Sequence, residues 1–333
     1  MSPAPSLKIE LERAFQLRRS LLEGSSCVRL FDGAGDGVAE VAIDLYDQVL
    51  NCHLHNAQLA SDLAACVPPA LEAIADLRSV RGGFLWLHQQ RGIVTEGRCI
   101  RSFGEPDERC VIVEHGIHYE VRPGIHKSAG LFIDMRDVRR RLVERTLEGA
   151  VLNAFCFTGS LGLAAALGGA SPVVQIDVSK SALTWAKHNQ SLNAALSHRE
   201  MKYIPEDSLR YFEREAGRVQ RGKQAAALVI IDPPSFGRGP AGEFKIERDL
   251  PNLVAAAAFA VRPDGELIVT CNTRTLSVDD IEFMAKETLA QHGRTIKSCE
   301  RVVAPQADFR DVTAEATSAR GVWVTLAERR DSA

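Results

Sequence analysis

Two patterns of apolar residues divide the chain. In the first third, apolar-rich runs at 28–30, 38–45 and 49–54 predict the strands of a small sheet. The string Asp32-Gly33-Ala34-Gly35-Asp36-Gly37 supplies a turn signal between them. Leu, Ala, Val and Ile then recur at helical spacing over 62–77, and 110–121 reads as two strands around a His115-Gly116 turn. From Val151 onward the pattern changes to short apolar strands alternating with amphipathic helices. The strands are 151–153, 173–177, 227–232 and 266–270, with a further one at Lys202-Tyr203-Ile204. Ser179 is placed to cap a helix over 180–193, and a second helix, 253–261, is stopped by Pro263 and Gly265. This βαβ punctuation predicts an α/β protein: a doubly wound, Rossmann-like parallel sheet behind a smaller N-terminal α/β domain. The boundary is expected at 126/127, with 1–126 serving RNA or substrate recognition and 127–333 forming the catalytic domain.

Length and composition fit that picture. At 333 residues, 45% hydrophobic and 25% charged, the chain suits two folded domains. Its longest apolar run, 253–261, is about half of the ~18–20 residues that cross a bilayer, so no membrane span is expected. Residues 1–10 contain two prolines and no apolar core, unlike a secretory signal, which makes the cytoplasm the expected compartment. Eight cysteines without a C-x-x-C pair argue against a zinc site and a disulfide framework, and His53 and His55 lack acidic or thiol partners at metal spacing. No metal is expected. The net charge of -3 gives no global basic excess, so any RNA contact must use a local patch.

The candidate chemistry lies in the second half. Asn153-Ala154-Phe155-Cys156-Phe157-Thr158-Gly159-Ser160-Leu161-Gly162 follows a strand and opens a helix, where doubly wound sheets bind ligands. The next strand ends in Asp177-Val178, where a carboxylate can accept both ribose hydroxyls of an adenosine cofactor. A dinucleotide site needs G-x-G-x-x-G to bring backbone amides to a pyrophosphate, and only Gly159 and Gly162 are present. The bulkier loop, with Phe155 and Phe157, suits S-adenosylmethionine, which has a sulfonium and no phosphate. The loop could also be only a tight strand-to-helix turn. The glycines at 33–37 precede their strand and sit beside two acids, and they read as a turn.

Asp232-Pro233-Pro234-Ser235-Phe236 ends a strong strand, with two backbone donors removed by proline. Acid-Pro-Pro at such a strand end marks a methyltransferase substrate edge, with Asp232 placed to hydrogen-bond a base. Ser235 stands where exocyclic-amine methylases carry an aromatic residue, which favours a different acceptor atom. Cys271 ends the following strand, where a thiolate adding to C6 of a pyrimidine would activate C5. It could equally be one more buried thiol. Arg136, Arg139, Arg140, Arg141 and Arg145 could contact phosphate or form a salt-bridged helix face. Residues 237–248, with Arg238, Lys245 and Arg248, read as a mobile basic loop or a plain surface loop.

These motifs resemble the ribosomal RNA large-subunit methyltransferase I type, cytosine-C5 enzymes acting on 23S rRNA. The likeness runs from about Val28 to the C-terminus, through Asp36-Gly37, Val41-Ala42-Ile43-Asp44-Leu45-Tyr46, the 127–139 linker, 153–162, Asp232 to Phe236 and Thr270-Cys271-Asn272. The resemblance implies that Phe132, Asp134 and Arg136 help hold the cofactor, that Asp207 binds its adenine amine, that Cys271 is the nucleophile and that the protein is a homodimer. This chain starts too late to contain the family's N-terminal RNA-binding PUA module. It also has Ser235 in place of the family's lysine, and Asp308-Phe309-Arg310 in place of an acid followed by His-Pro. Methylation of another RNA atom or of a small molecule, and a non-catalytic RNA-binding module, are the alternatives.

Overall fold

The Gly/Asp clusters and apolar runs mark real strand boundaries in the computed structural model, which describes residues 3–23, 25–91, 94–239, 242–310 and 318–327. Chain packing separates two compact units, Met1–Arg136 with Pro305–Ala316, and Asp137–Ala304 with Thr317–Ala333. The sequence reading drew one line at 126/127. It did not anticipate that a short C-terminal segment returns to the first unit.

In the first unit, β1 (Cys27–Asp32), β2 (Val41–Tyr46), β3 (Val49–Leu54), β4 (Gly82–Arg91) and β5 (Val94–Gly104) form a sheet in that order. All neighbours are antiparallel except β3 and β4. A parallel pair needs a crossover, and α3 (Ala60–Glu72) supplies it. That helix and α1 (Pro3–Leu17) bury Leu11, Phe15, Leu63 and Val67 with Val28, Leu30, Ile43 and Leu50 of the sheet. A short α2 (Arg19–Leu22) follows α1, and β6 (Cys110–Glu114) and β7 (Ile117–Val121) form the hairpin expected around His115-Gly116. Two expectations were too long. Val38 belongs to the turn before β2, its amide bonded to Gly33 O, and the expected helix over 62–77 breaks after Glu72 into a 3₁₀ turn at Ala75–Leu77. The glycine cluster is indeed a turn: Gly33–Asp36 is a 3₁₀ segment closed by Gly37 at φ 97°, and Asp36 faces the buried Arg18.

The second unit holds β8 (Val151–Ala154), β9 (Val173–Asp177), β10 (Met201–Pro205), β11 (Ala226–Ile231), β14 (Val261–Cys271), β15 (Ile296–Val303) and β16 (Arg320–Leu326) in one sheet. Between β11 and β14 a separate hairpin, β12 (Phe236–Gly239) and β13 (Gly242–Lys245), precedes a helix. The sheet order is β10-β9-β8-β11-β14-β16-β15. The first five strands are parallel, and β16 then runs antiparallel to both β14 and β15. The expected doubly wound, Rossmann-like sheet is present, with one antiparallel strand, β16, next to its edge. The helices are α4 (Arg136–Glu144), α5 (Ser160–Leu167), α6 (Lys180–Ser191), α7 (Ser208–Gln220), α8 (Ile246–Ala260) and α9 (Val278–Gln291). Ser179 caps α6, accepting the Ala182 amide, as its position implied. Helix α8 begins seven residues earlier than its apolar run and carries Pro251 at its sixth position, where it forgoes one backbone hydrogen bond. Strand order reverses between β8 and β11, and the crevice beyond their carboxyl ends is where such sheets take ligands. No helix among the described residues is long and apolar enough to cross a membrane.

Candidate active site

Strand register lines up the expected site residues along one sheet edge. Ala154 pairs with Ile176 and with Ile231, Pro205 pairs with Asp177, and Ile231 pairs with Val269. The residues just beyond these pairs are Asp207, Asp177, the loop starting at Phe155, Asp232, and Thr270-Cys271.

The glycine loop owes its path to three left-handed residues, Phe155 (φ 55°), Phe157 (φ 49°) and Gly159 (φ 83°). Left-handed backbone is uncommon for phenylalanine, so the loop must be held from outside. Each Phe has an aromatic neighbour: Phe157 meets Trp185 of α6 edge-on at 6.0 Å, and Phe155 meets Phe244 of β13 at 5.7 Å. Beneath the loop, buried Gln175 accepts from Asn153 Nδ2 at 2.7 Å and donates to Gly159 O at 3.0 Å, while Asn189 Nδ2 donates to Thr158 O. A side chain at Gly162 would collide with Gln175. Asn153 is 1% exposed and Thr158 equally buried. Asn153 through its side chain and Thr158 through its carbonyl are both engaged with residues that support the loop. Gln175 and Asn189 were missed by the sequence reading. A glutamine inside the apolar strand Val173–Asp177 was the available signal, because a buried amide must find partners.

Asp177 accepts the amide of Phe157 at 2.9 Å on one oxygen and that of Ser179 at 2.8 Å on the other. Burial pushes its carboxyl above the ordinary value, against those two bonds. Each oxygen keeps acceptor capacity beyond one amide. Val178 beside it is 49% exposed. Asp207 caps α7, accepting the Arg210 amide at 3.1 Å.

Asp232 is oriented by Thr270, whose Oγ1 donates to Asp232 Oδ1 at 2.8 Å. Cys271 is 1% exposed and packs in the sheet's apolar core. Burial pushes its thiol up to about 11, the Thr273 amide lowers it, and Asp232 lies near enough to raise it further. The thiol therefore belongs to this edge, but in protonated form. The basic loop expected over 237–248 is a hairpin followed by a helix, with Arg248 bonded to Asp249 and Lys245 paired with Glu243. The Arg238 side chain lies outside the described residues.

The basic helix is a salt-bridged face. Arg140 pairs with Glu144, Arg141 with Glu300, and Arg145 with Glu266, while Arg141 and Arg145 also lie over the Trp323 ring. Phe132, Asp134 and Arg136 fall in the first unit. Arg136 is committed there: its guanidinium holds both oxygens of buried Asp308, at 3.0 and 2.7 Å, and Cys27 O at 3.3 Å. Asp308-Phe309, which departs from the family pattern, is used in the same place, Arg29 stacking on the Phe309 ring at 4.6 Å. Among the described residues no group of three His, Cys, Asp or Glu side chains could hold a metal.

The edge presents carboxylates at Asp177, Asp207 and Asp232. They would repel a phosphate and suit a cationic, phosphate-free adenosine compound, so the residues fit S-adenosylmethionine.

Comparison with known proteins points the same way. Residues 29–322 match the model of the S-adenosylmethionine-dependent methyltransferase family. The chain is 26% identical over 313 residues to YwbD of Bacillus subtilis (strain 168), whose name places it provisionally among ribosomal RNA large subunit methyltransferases, covering 92% of this chain and 76% of that protein. It is 31% identical to the ribosomal RNA large subunit methyltransferase K/L of Shewanella sp. (strain W3-18-1), covering 60% of this chain but only 27% of that protein. The K/L protein of Magnetococcus marinus is 25% identical, with 77% and 35% covered. Among solved structures, SMU.776, provisionally named a methyltransferase and complexed with SAH, shares the fold with TM-score 0.78 at 21% identity, covering 96% of this chain and 81% of that one. The SAM dependent methyltransferase from Agrobacterium tumefaciens gives 0.61 at 20% identity, with 92% and 91% covered.

Proposed function

The chain belongs to the S-adenosylmethionine-dependent methyltransferase family, and from that premise we propose that its methyl acceptor is a base in large-subunit ribosomal RNA. When bound, S-adenosylmethionine supplies an electrophilic methyl group on a sulfonium sulfur. Asp177 holds the donor's ribose hydroxyls, Gly159 lets it approach the backbone, Val178 and the two loop phenylalanines give apolar walls, and Asp207 takes the adenine amine. Asn153 and Thr158 keep the loop in shape.

The observation that carries the acceptor reading is Asp232. It stands at the reversal point of the sheet, follows β11, and is held in one orientation by Thr270. A fixed carboxylate there accepts a hydrogen bond from a base N–H or amine and so aims a ring atom at the donor. The names of YwbD and the K/L proteins supply the substrate class. Ribosomal RNA as substrate places the activity in the cytoplasm.

A second reading, cytosine-C5 methylation through Cys271, is favoured by that thiol's place at the end of β14 beside Asp232. In it the Cys271 thiolate adds to C6 and raises electron density at C5. C5 then takes the donor's methyl group as the bond from that methyl to the donor sulfur breaks, and loss of the C5 proton expels the Cys271 thiolate and releases the methylated base. This route requires RNA binding to uncover and deprotonate a thiol that the free protein keeps buried.

Mass spectrometry of nucleosides from large-subunit rRNA tests the proposal. A strain lacking the gene should lose one methylated nucleoside, and its identity separates cytosine C5 from other atoms. An unchanged nucleoside profile would overturn the RNA reading in favour of a small-molecule acceptor.

A further inference from the structure

The two left-handed phenylalanines of the donor loop are buttressed from different places. Phe157 leans on Trp185, a nearly buried residue of α6 in the body of the unit. Phe155 leans on Phe244, which belongs to the hairpin β12–β13 that directly follows Asp232-Pro233-Pro234. The rings are tilted by 46° with centroids 5.7 Å apart, within the range of a favourable aromatic pair. Both side chains also pack on the apolar core that contains Leu250 and Val254 of α8.

The base of the hairpin is fixed. Ile246 N donates to Ser235 O at 3.2 Å, and Lys245 N donates to Asp249 Oδ2 at 2.8 Å. Phe244 therefore connects a hairpin rooted at the substrate edge to one of the two loop phenylalanines held in left-handed backbone.

We propose that Phe244 is a positioning residue for the donor site: by holding Phe155 it keeps the loop in its donor-binding path, and it couples the substrate-side hairpin to donor affinity. This rests on the reading of residues 155–159 as the donor loop. Phe244 acts through Phe155 and needs no contact with the donor.

The test is calorimetric titration of S-adenosylmethionine into the full chain, with Phe244→Ala, Phe244→Leu, Phe155→Ala and the double alanine variant, each checked for Tm. Phe244→Ala should weaken binding about tenfold, the scale expected for contacting residues that share one function. Phe244→Leu should restore affinity to within about threefold, since an apolar side chain of similar reach still supports the ring. The double variant should be little worse than either single one. Wild-type affinity in Phe244→Ala would overturn the proposal, as would additive losses in the double variant. Should Phe244→Ala fail to fold, weakening of about tenfold or more in a folded Phe244→Leu would also overturn it. A wild-type protein that binds no donor would refute the functional reading itself, a result distinct from all of these.

Discussion

Thr270 Oγ1 donates a hydrogen bond to Asp232 Oδ1 at 2.8 Å, tying together the carboxyl ends of two neighbouring parallel strands. Thr270 is fully buried, so a fixed hydroxyl meets the partly exposed Asp232 carboxylate.

Replacing Thr270 by Val keeps the shape and removes the bond. A hydrogen bond to a charged group contributes about 1.5–3 kcal/mol, so kcat/KM for RNA methylation should fall roughly ten- to a hundredfold. Donor affinity, measured by titration, should stay within about twofold, because Asp232 is oriented for the acceptor. A loss confined to donor binding would show that Asp232 serves the cofactor instead.

Gly162→Ala probes the floor of the donor loop. The added Cβ would lie 2.2 Å from Gln175 Nε2, and Gln175 is locked between Asn153 and Gly159. Overpacking of this kind costs about 1–3 kcal/mol. Thermal unfolding should show a Tm several degrees lower, together with weaker donor binding. An unchanged Tm would mean that Gln175 is free to move.

The buried pair of Arg136 and Asp308 predicts a pH effect. Removing one partner of a buried pair costs about 3–5 kcal/mol, and Arg136→Gln should destabilise on that scale. Burial already raises the Asp308 carboxyl against the pull of Arg136. A carboxyl raised in the folded state contributes stability that is full below its unfolded value and lost as pH rises through its folded value. Without Arg136 the shift grows. The Tm deficit of the variant should therefore be smaller at pH 5 than at pH 8, as read by calorimetry at both. A deficit independent of pH would place the cost elsewhere.

Much of this architecture was legible before any coordinates. The order glycine loop, Asp177, Asp232 follows from strand ends, because each apolar run stops where the sheet's carboxyl edge begins. Long-range partnerships were not legible. Arg136 and Asp308 are 172 residues apart, and nothing local marks an arginine in a basic helix as the one that turns inward. Burial of Asn153 and Cys271 was hidden for a related reason: a polar residue at a strand end can face the ligand or the floor, and one-residue differences in register decide which. Strand β15 and its antiparallel neighbour β16 escaped; Ile296–Val303 is an edge strand with one buried residue, Val302, so its apolar signal is weak.

Cys271 offers a chemical check on the free protein. With its thiol pushed up to about 11, chiefly by burial, roughly one molecule in several thousand carries the thiolate at pH 7.5. Peptide mapping after iodoacetamide treatment should find Cys271 among the slowest thiols at that pH, its rate climbing toward pH 11. The neutral thiol is the favoured folded form, so its stability contribution is intact below the unfolded thiol value and lost on the way to 11. Rapid labelling at neutral pH would instead reveal the ready nucleophile that the covalent route needs.

The most direct trial of the whole account is methyl transfer in solution: purified protein, S-adenosylmethionine carrying a labelled methyl group, and large-subunit rRNA, with Asp232→Asn alongside. The account predicts label in one rRNA nucleoside with the wild-type protein, and its loss in the variant while donor binding persists. Donor-competent wild-type protein that leaves the RNA unlabelled, or a fully active variant, would contradict it.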